Sequence, residues 1–138
     1  MSEYQRFALL GRTDNASFRL ADAGVVVVVP DDGCTDDEHT ARQSVTMQQE
    51  HWRTIGHRGA AIVLMDRVAH QTKDARRVYQ TEVDPELIAG FGLVTRSVFG
   101  RAIASVFMGL ARPVVPTRMF GDLDEALRWA RRLHEDAP

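Results

Sequence analysis

The feature that most constrains this 138-residue chain is the run Val25-Val26-Val27-Val28-Val29, ended by Pro30. β-branched side chains in succession are stiff at χ1, fit a helix poorly and suit a strand. A strand that is apolar at every position must be covered on both of its faces. A layered α/β architecture follows. Ser17–Leu20 and the turn Asp22-Ala23-Gly24 read as the other arm of a β-hairpin. Phe7–Leu10 reads as a first strand or an N-terminal arm.

Further apolar runs at Ala61–Met65 and Phe91–Thr95 predict strands, and Thr117–Phe120 a short last one. Helical patterns lie between them. Thr35-Asp36-Asp37-Glu38 has the spelling of a capping box, and Ala41, Val45, Gln48, Trp52 and Ile55 recur at helical spacing before Gly56. Thr72 and Asp74 start a short helix through Ala75, Val78 and Tyr79; Pro85 opens another turn that Gly90 closes. Ser97 caps a helix from Val98 to Leu110 with Arg101 as its sole charge, and a helix so apolar is expected to be largely buried. Pro113 and Pro116 stop it. Asp122 with Glu125 caps a last helix that turns Leu123, Ala126, Leu127, Ala130 and Leu133 inward. Helices alternating with apolar strands imply a mixed, mostly parallel sheet with helices packed mainly on one face. No composition shift divides the chain, so one domain is expected over 1–138, with 1–16 as an arm or edge strand and 17–134 as the core.

The C-terminal third resembles a known family. Phe107-Met108-Gly109-Leu110-Ala111-Arg112-Pro113, then Pro116-Thr117-Arg118-Met119-Phe120, then Asp124-Glu125-Ala126-Leu127-Arg128-Trp129 is similar to the end of small bacterial STAS-like proteins, which share the fold of the anti-sigma-factor antagonists. With the hairpin, the first amphipathic helix and the Ala61–Met65 strand in the same order, the resemblance covers residues 17 to 134. It implies an interaction or ligand-sensing module. It also implies a phosphorylation switch at the start of the helix after the central strand, which places Thr72, Lys73 and Asp74 there. The Asp-Ser-Ser spelling of that switch is absent, and Lys73 falls at the acceptor position; Thr72 is the remaining candidate acceptor.

Lys and Arg number 17 against 19 Asp and Glu, a net charge of −2, so there is no basic field for nucleic acid or an anionic membrane surface. No apolar run approaches the roughly 20 residues of a membrane span. The start of the chain has no signal-peptide core, and Cys34 has no partner for a disulfide, so a cytoplasmic location is expected.

Candidate chemistry is sparse. Asp31, Asp32 and Asp66 after strands imitate a phospho-receiver site, but a receiver requires a strand between the second and third of these. The acidic residues from Asp31 to Glu38 lack the spacing of a calcium loop. The histidines His39, His51, His57, His70 and His134 form no i, i+4 pair and read as solvated surface groups, so no metal site is assigned. Cys34 lies in an acidic loop that raises a thiol pKa. Asp66, His70 and Thr72 are the least implausible enzyme site. Arg96, Ser97 and Arg101, with Arg112 and Arg118 nearby, could cradle an anion at a helix N-terminus. Phe99, Ile103 and Phe107 offer more apolar surface than one sheet face needs, and a homodimer seam would use it. The chain is therefore read as a non-catalytic STAS-like regulatory module without a cofactor, acting by self-association or on another protein. The alternatives are a carrier or sensor of a small anionic or lipid-like ligand, and a phospho-receiver-like domain or unrecognised enzyme.

Overall fold

The computed structural model describes residues 3–111 and 114–136, and the side chains of 110 and 111 are not among those described. Arg112 and Pro113, assigned above to the arginine cluster and the helix stop, lie outside that range. The first strands, β1 (Ala8–Arg12), β2 (Ala16–Asp22) and β3 (Val25–Pro30), form an antiparallel meander. β3 then pairs in parallel with β5 (Gly59–Leu64), β5 with β7 (Ile88–Val94), and β7 with β8 (Thr117–Phe120). The sheet order is β1-β2-β3-β5-β7-β8, while β4 (Cys34–Asp36) and β6 (Val68–Gln71) make a separate parallel ribbon. The expected mixed, mostly parallel sheet is present.

All five valines of β3 are buried, and they divide by parity. Val26 and Val28 join Phe18, Ala61, Phe91 and Leu93 in a core beneath α1 (Glu38–Ile55), α2 (Lys73–Thr81) and α3 (Val98–Val106). Val25, Val27 and Val29 join Ala60, Ile62 and Val94 beneath α4 (Leu123–Asp136), through Leu123, Ala126, Leu127 and Ala130. The period-2 alternation of a strand sends neighbouring residues to opposite faces, so a single homogeneous run serves two cores. Three helices cover one face and the last helix the other.

Two boundaries differ from the sequence expectation. Thr35 does not cap α1, because it pairs with His70 in the β4–β6 ribbon. The cap moves to Asp37, whose carboxylate accepts the Thr40 N–H at 2.9 Å while Thr40 Oγ1 accepts the Asp37 N–H at 2.9 Å. Gly90 does not close a turn but lies within β7. A Cβ there would stand 2.7 Å from Leu133 Cδ1 and 2.8 Å from the Pro116 carbonyl oxygen, so its hydrogen lets α4 settle on the sheet.

A third expectation is corrected at α3. Gly100 and Ala104 are its buried residues, whereas Val98 is 86% and Phe99 59% exposed. The helix packs on the turn Met65–Arg67, on β6 and on the turn that follows it, and not squarely on the sheet. Its outer side therefore has nothing over it. At Phe107 the α-helix passes into a π-helical turn, Phe107–Ala111, which carries Phe107 itself into the core.

Gly90→Val is expected to lower unfolding free energy by about 1–3 kcal/mol through overpacking between β7 and α4. Urea midpoints at unchanged m would measure it, and an unaltered midpoint would contradict the close approach described.

Candidate functional site

The predicted anion cradle at the start of α3 holds one of the protein's own carboxylates. Asp66, in the turn after β5, accepts the Arg96 N–H on Oδ2 at 2.8 Å. Its Oδ1 accepts from Thr95 Oγ1 at 2.7 Å, Ser97 Oγ at 2.9 Å and the Ser97 N–H at 3.2 Å. Ser97 also caps the helix, its Oγ accepting the Gly100 N–H at 2.8 Å. A Cβ on Gly100 would collide with the Asp66 carboxylate, so glycine makes room for it. Partial burial raises the Asp66 carboxyl, but the hydrogen bonds from Arg96, Thr95 and Ser97 outweigh that and hold it below the usual aspartate value. An anion at a helix N-terminus is what the helix dipole favours, and here it is internal. The Arg96 side chain reaches the Gly121 carbonyl oxygen at 2.8 Å and Glu3 at 3.9 Å, and Arg101 is exposed without an ion pair among the described residues. Asp66, His70 and Thr72 do not share hydrogen bonds.

Thr72 stands at the N-cap of α2, half-buried, accepting the Ala75 N–H at 3.1 Å while its own N–H donates to the Asp36 carbonyl at 2.9 Å. Lys73 and Asp74 beside it are exposed. Asp31 pairs with Arg12 at 2.8 Å, which draws its carboxyl below the ordinary range. His39 and His70 are exposed as expected, but His57 and His134 meet at a ring separation of 4.2 Å, both directed at the Arg58 carbonyl oxygen. Among the described residues no three His, Cys, Asp or Glu side chains converge as metal ligands, and no helix is long and apolar enough to cross a membrane.

Of the seam residues, Phe99 is exposed, Ile103 half-buried and Phe107 buried. Phe99, Ile103 and Val106 line a shallow groove with Ala69, His70 and Arg76, between α3, β6 and α2. Val98, at the start of α3, is exposed as well.

A second concavity lies within the α1 side of the fold, where sequence reasoning placed nothing. It is a cavity of about 50 Å³, taken as the space open to the centre of a water molecule. Val28, Val63, Met65, Phe91, Leu93 and Phe107 make its apolar wall. Its polar end is Asp36, Ser44, Gln48, Gln71 and Tyr79. Asp36 is only 8% exposed. Its Oδ1 accepts from Thr40 Oγ1 at 2.8 Å, and its Oδ2 from Tyr79 Oη at 2.8 Å and Gln71 Nε2 at 3.2 Å. Burial pushes its carboxyl above the usual value, although Tyr79, Thr40 and Gln71 pull the other way. Burial and the adjoining carboxylate hold the Tyr79 hydroxyl well above its own, so it stays a donor. The signal in the sequence was Ser44 and Gln48, polar residues on the inward stripe of α1.

Residues 20–134 match the family described as Domain of unknown function (DUF7793), and the chain belongs to that family. No curated protein matches it. Among solved structures it is similar to the anti-sigma factor antagonist SpoIIAA in its unphosphorylated form, at 14% identity over 84% of this chain and 97% of that one, with a TM-score of 0.51. The fold is STAS-like, as the C-terminal resemblance implied.

Asp36 binds its proton more readily in the fold than in the unfolded chain. Its contribution to stability is complete below the unfolded-state pKa and is lost as pH rises through the raised folded-state value. Asp36→Asn removes that dependence and leaves the lowered carboxylates in place. The stability of the variant minus that of wild type, from urea unfolding along a pH series, should be greatest near neutrality and fall as the ordinary aspartate range is approached. A difference independent of pH would contradict the buried carboxylate.

Proposed function

We propose that the chain is a non-catalytic, cytoplasmic regulatory module that associates with a second copy of itself through α3. The observation that carries this reading is the uncovered apolar row of that helix, with Val98 86%, Phe99 59% and Val106 43% exposed. Contiguous exposed apolar surface beside a groove is characteristic of interaction sites. A second copy fits it because Phe99 of one chain and the groove floored by Ile103 on the other lie on the same helix, which allows the self-complementary packing of a two-fold interface. The net charge of −2 opposes such pairing little. The structural neighbour, an anti-sigma factor antagonist, supports a regulatory reading by analogy of fold, which does not by itself fix function.

The anion-carrier alternative on Arg96, Ser97 and Arg101 has less support, since Asp66 already occupies the helix amides that would hold the anion. Thr72 stays the proposed site for a regulatory phosphate: it begins α2, where helix dipole and phosphate charge agree.

Size-exclusion chromatography with light scattering tests the reading. Wild type should run as a dimer at micromolar concentration, and Phe99→Glu as a folded monomer, since Phe99 contributes little to the core. A wild type that remains a monomer of 15.4 kDa, or a Phe99→Glu variant that still dimerises, would overturn it.

A further inference from the structure

The cavity beneath α1 is unusual in what its polar end lacks. Gln48 is 1% exposed and its Oε1 has no hydrogen-bond partner; Gln71 Oε1 is likewise buried and unpartnered. Neither amide gains by turning over. Gln71 Nε2 donates to Asp36, and reversing it would set an oxygen against the carboxylate. Gln48 Nε2 donates to Ser44 Oγ at 3.1 Å, and reversing that amide would leave a buried donor unpartnered in place of a buried acceptor. Both orphan oxygens are therefore acceptors lining one cavity. Asp36 adds a buried carboxylate that makes no ion pair among the described residues. A buried charge without a counter-charge, and buried acceptors without donors, each destabilise a fold until something supplies the missing partner.

The rest of the wall is apolar, with the aromatic rings of Tyr79 and Phe107 in edge-to-face contact at 5.5 Å. Phe107 enters from the point where α3 passes into its π-helical turn, a local geometry that often marks a functional site. We propose that this cavity binds a short-chain alkylamine, its ammonium donating to the Asp36 carboxylate and to the free oxygens of Gln48 and Gln71, its alkyl body lying against Val28, Met65, Leu93 and Phe107. Three donors on an ammonium group answer three acceptors of the polar end. An anion is excluded by the same groups, which would all repel it. The size limits the body: about 50 Å³ is several times the roughly 10–15 Å³ that one water needs, but about a third of the roughly 150 Å³ of an engineered cavity that takes benzene. This site is separate from the α3 face and stands or falls independently of self-association.

The test uses the full chain with isobutylamine, isobutanol and isobutyrate as probes of one shape and three chemistries. Binding is followed by thermal shift and by the NMR side-chain amide signals of Gln48 and Gln71. Isobutylamine should raise the melting temperature and shift both amide signals; isobutanol should do so more weakly, and isobutyrate not at all. Asp36→Asn should weaken isobutylamine by about tenfold or more, because it removes the charge-assisted bond. Should that variant fail to fold, Gln48→Met serves: it removes one orphan acceptor, and is expected to bind isobutylamine more weakly while unfolding no earlier than wild type. Equal binding of isobutylamine and isobutanol would overturn the assignment of an ammonium site. Binding of none of the three to folded wild type would mean that ordered water alone satisfies the cavity, and would overturn it as well.

Discussion

Everything in this fold is arranged around a strand that has no wet face. Because β3 is apolar at five successive positions, both sides of the sheet must be covered at its centre. Single-faced packing would leave Val25, Val27 and Val29 in water, and each buried valine is worth about 1.5–3 kcal/mol relative to exposure. α4 meets that demand on one side and α1 with α2 on the other. The neighbouring strands follow suit. β5 and β7 are also largely buried, and glycines in β7 hold open the space in which Trp129 and Leu133 of α4 lie. The parallel crossovers that connect these strands carry α1, α2 and α3, and α4, which follows β8 and belongs to no crossover, covers the other face.

The two cores differ in chemistry. The α4 side is closed by small and aliphatic residues, with Phe120 tilted against Trp129. The α1 side is covered by a helix whose inward stripe mixes Ala41, Val45 and Trp52 with Thr40, Ser44, Gln48 and Gln49. Polar groups placed there need partners, and α2 and the β4–β6 ribbon supply some of them through Tyr79, Gln71 and Asp36. The accounting stops short of completion, which leaves a cavity with unmatched acceptors. α3, at the edge of this layer, is anchored by its N-terminus to Asp66 and leaves its outer side bare.

Local chemistry in the sequence was enough for much of this. The valine strand, the hairpin before it, the caps at Thr72, Ser97 and Asp122 and the inward face of α4 depend on neighbours in the chain, and they read correctly. What depends on distant partners did not. Thr35 has the spelling of a cap, but His70 claims it for a ribbon that no local pattern announces. Gly90 reads as a turn until Leu133 is seen against it. The apolar pattern of α3 predicts burial without saying what would do the burying. Asp66 read as one residue of a receiver-like or enzyme site, whereas it fills the anion position that the sequence reserved for a ligand. Of the cavity, the sequence showed no more than polar Ser44 and Gln48 on the inward stripe of α1, because Asp36, Gln48, Gln71 and Tyr79 come from four elements and meet only in the folded chain.

The central claim is that the bare side of α3 is a contact surface between copies of this chain. Amide hydrogen exchange, compared between dilute and concentrated samples of the wild-type protein, tests it most directly. The account predicts that protection rises with concentration along Val98–Val106 and β6, while α4 on the opposite face is unchanged. Protection that is independent of concentration at α3, or that rises at α4 instead, would contradict it.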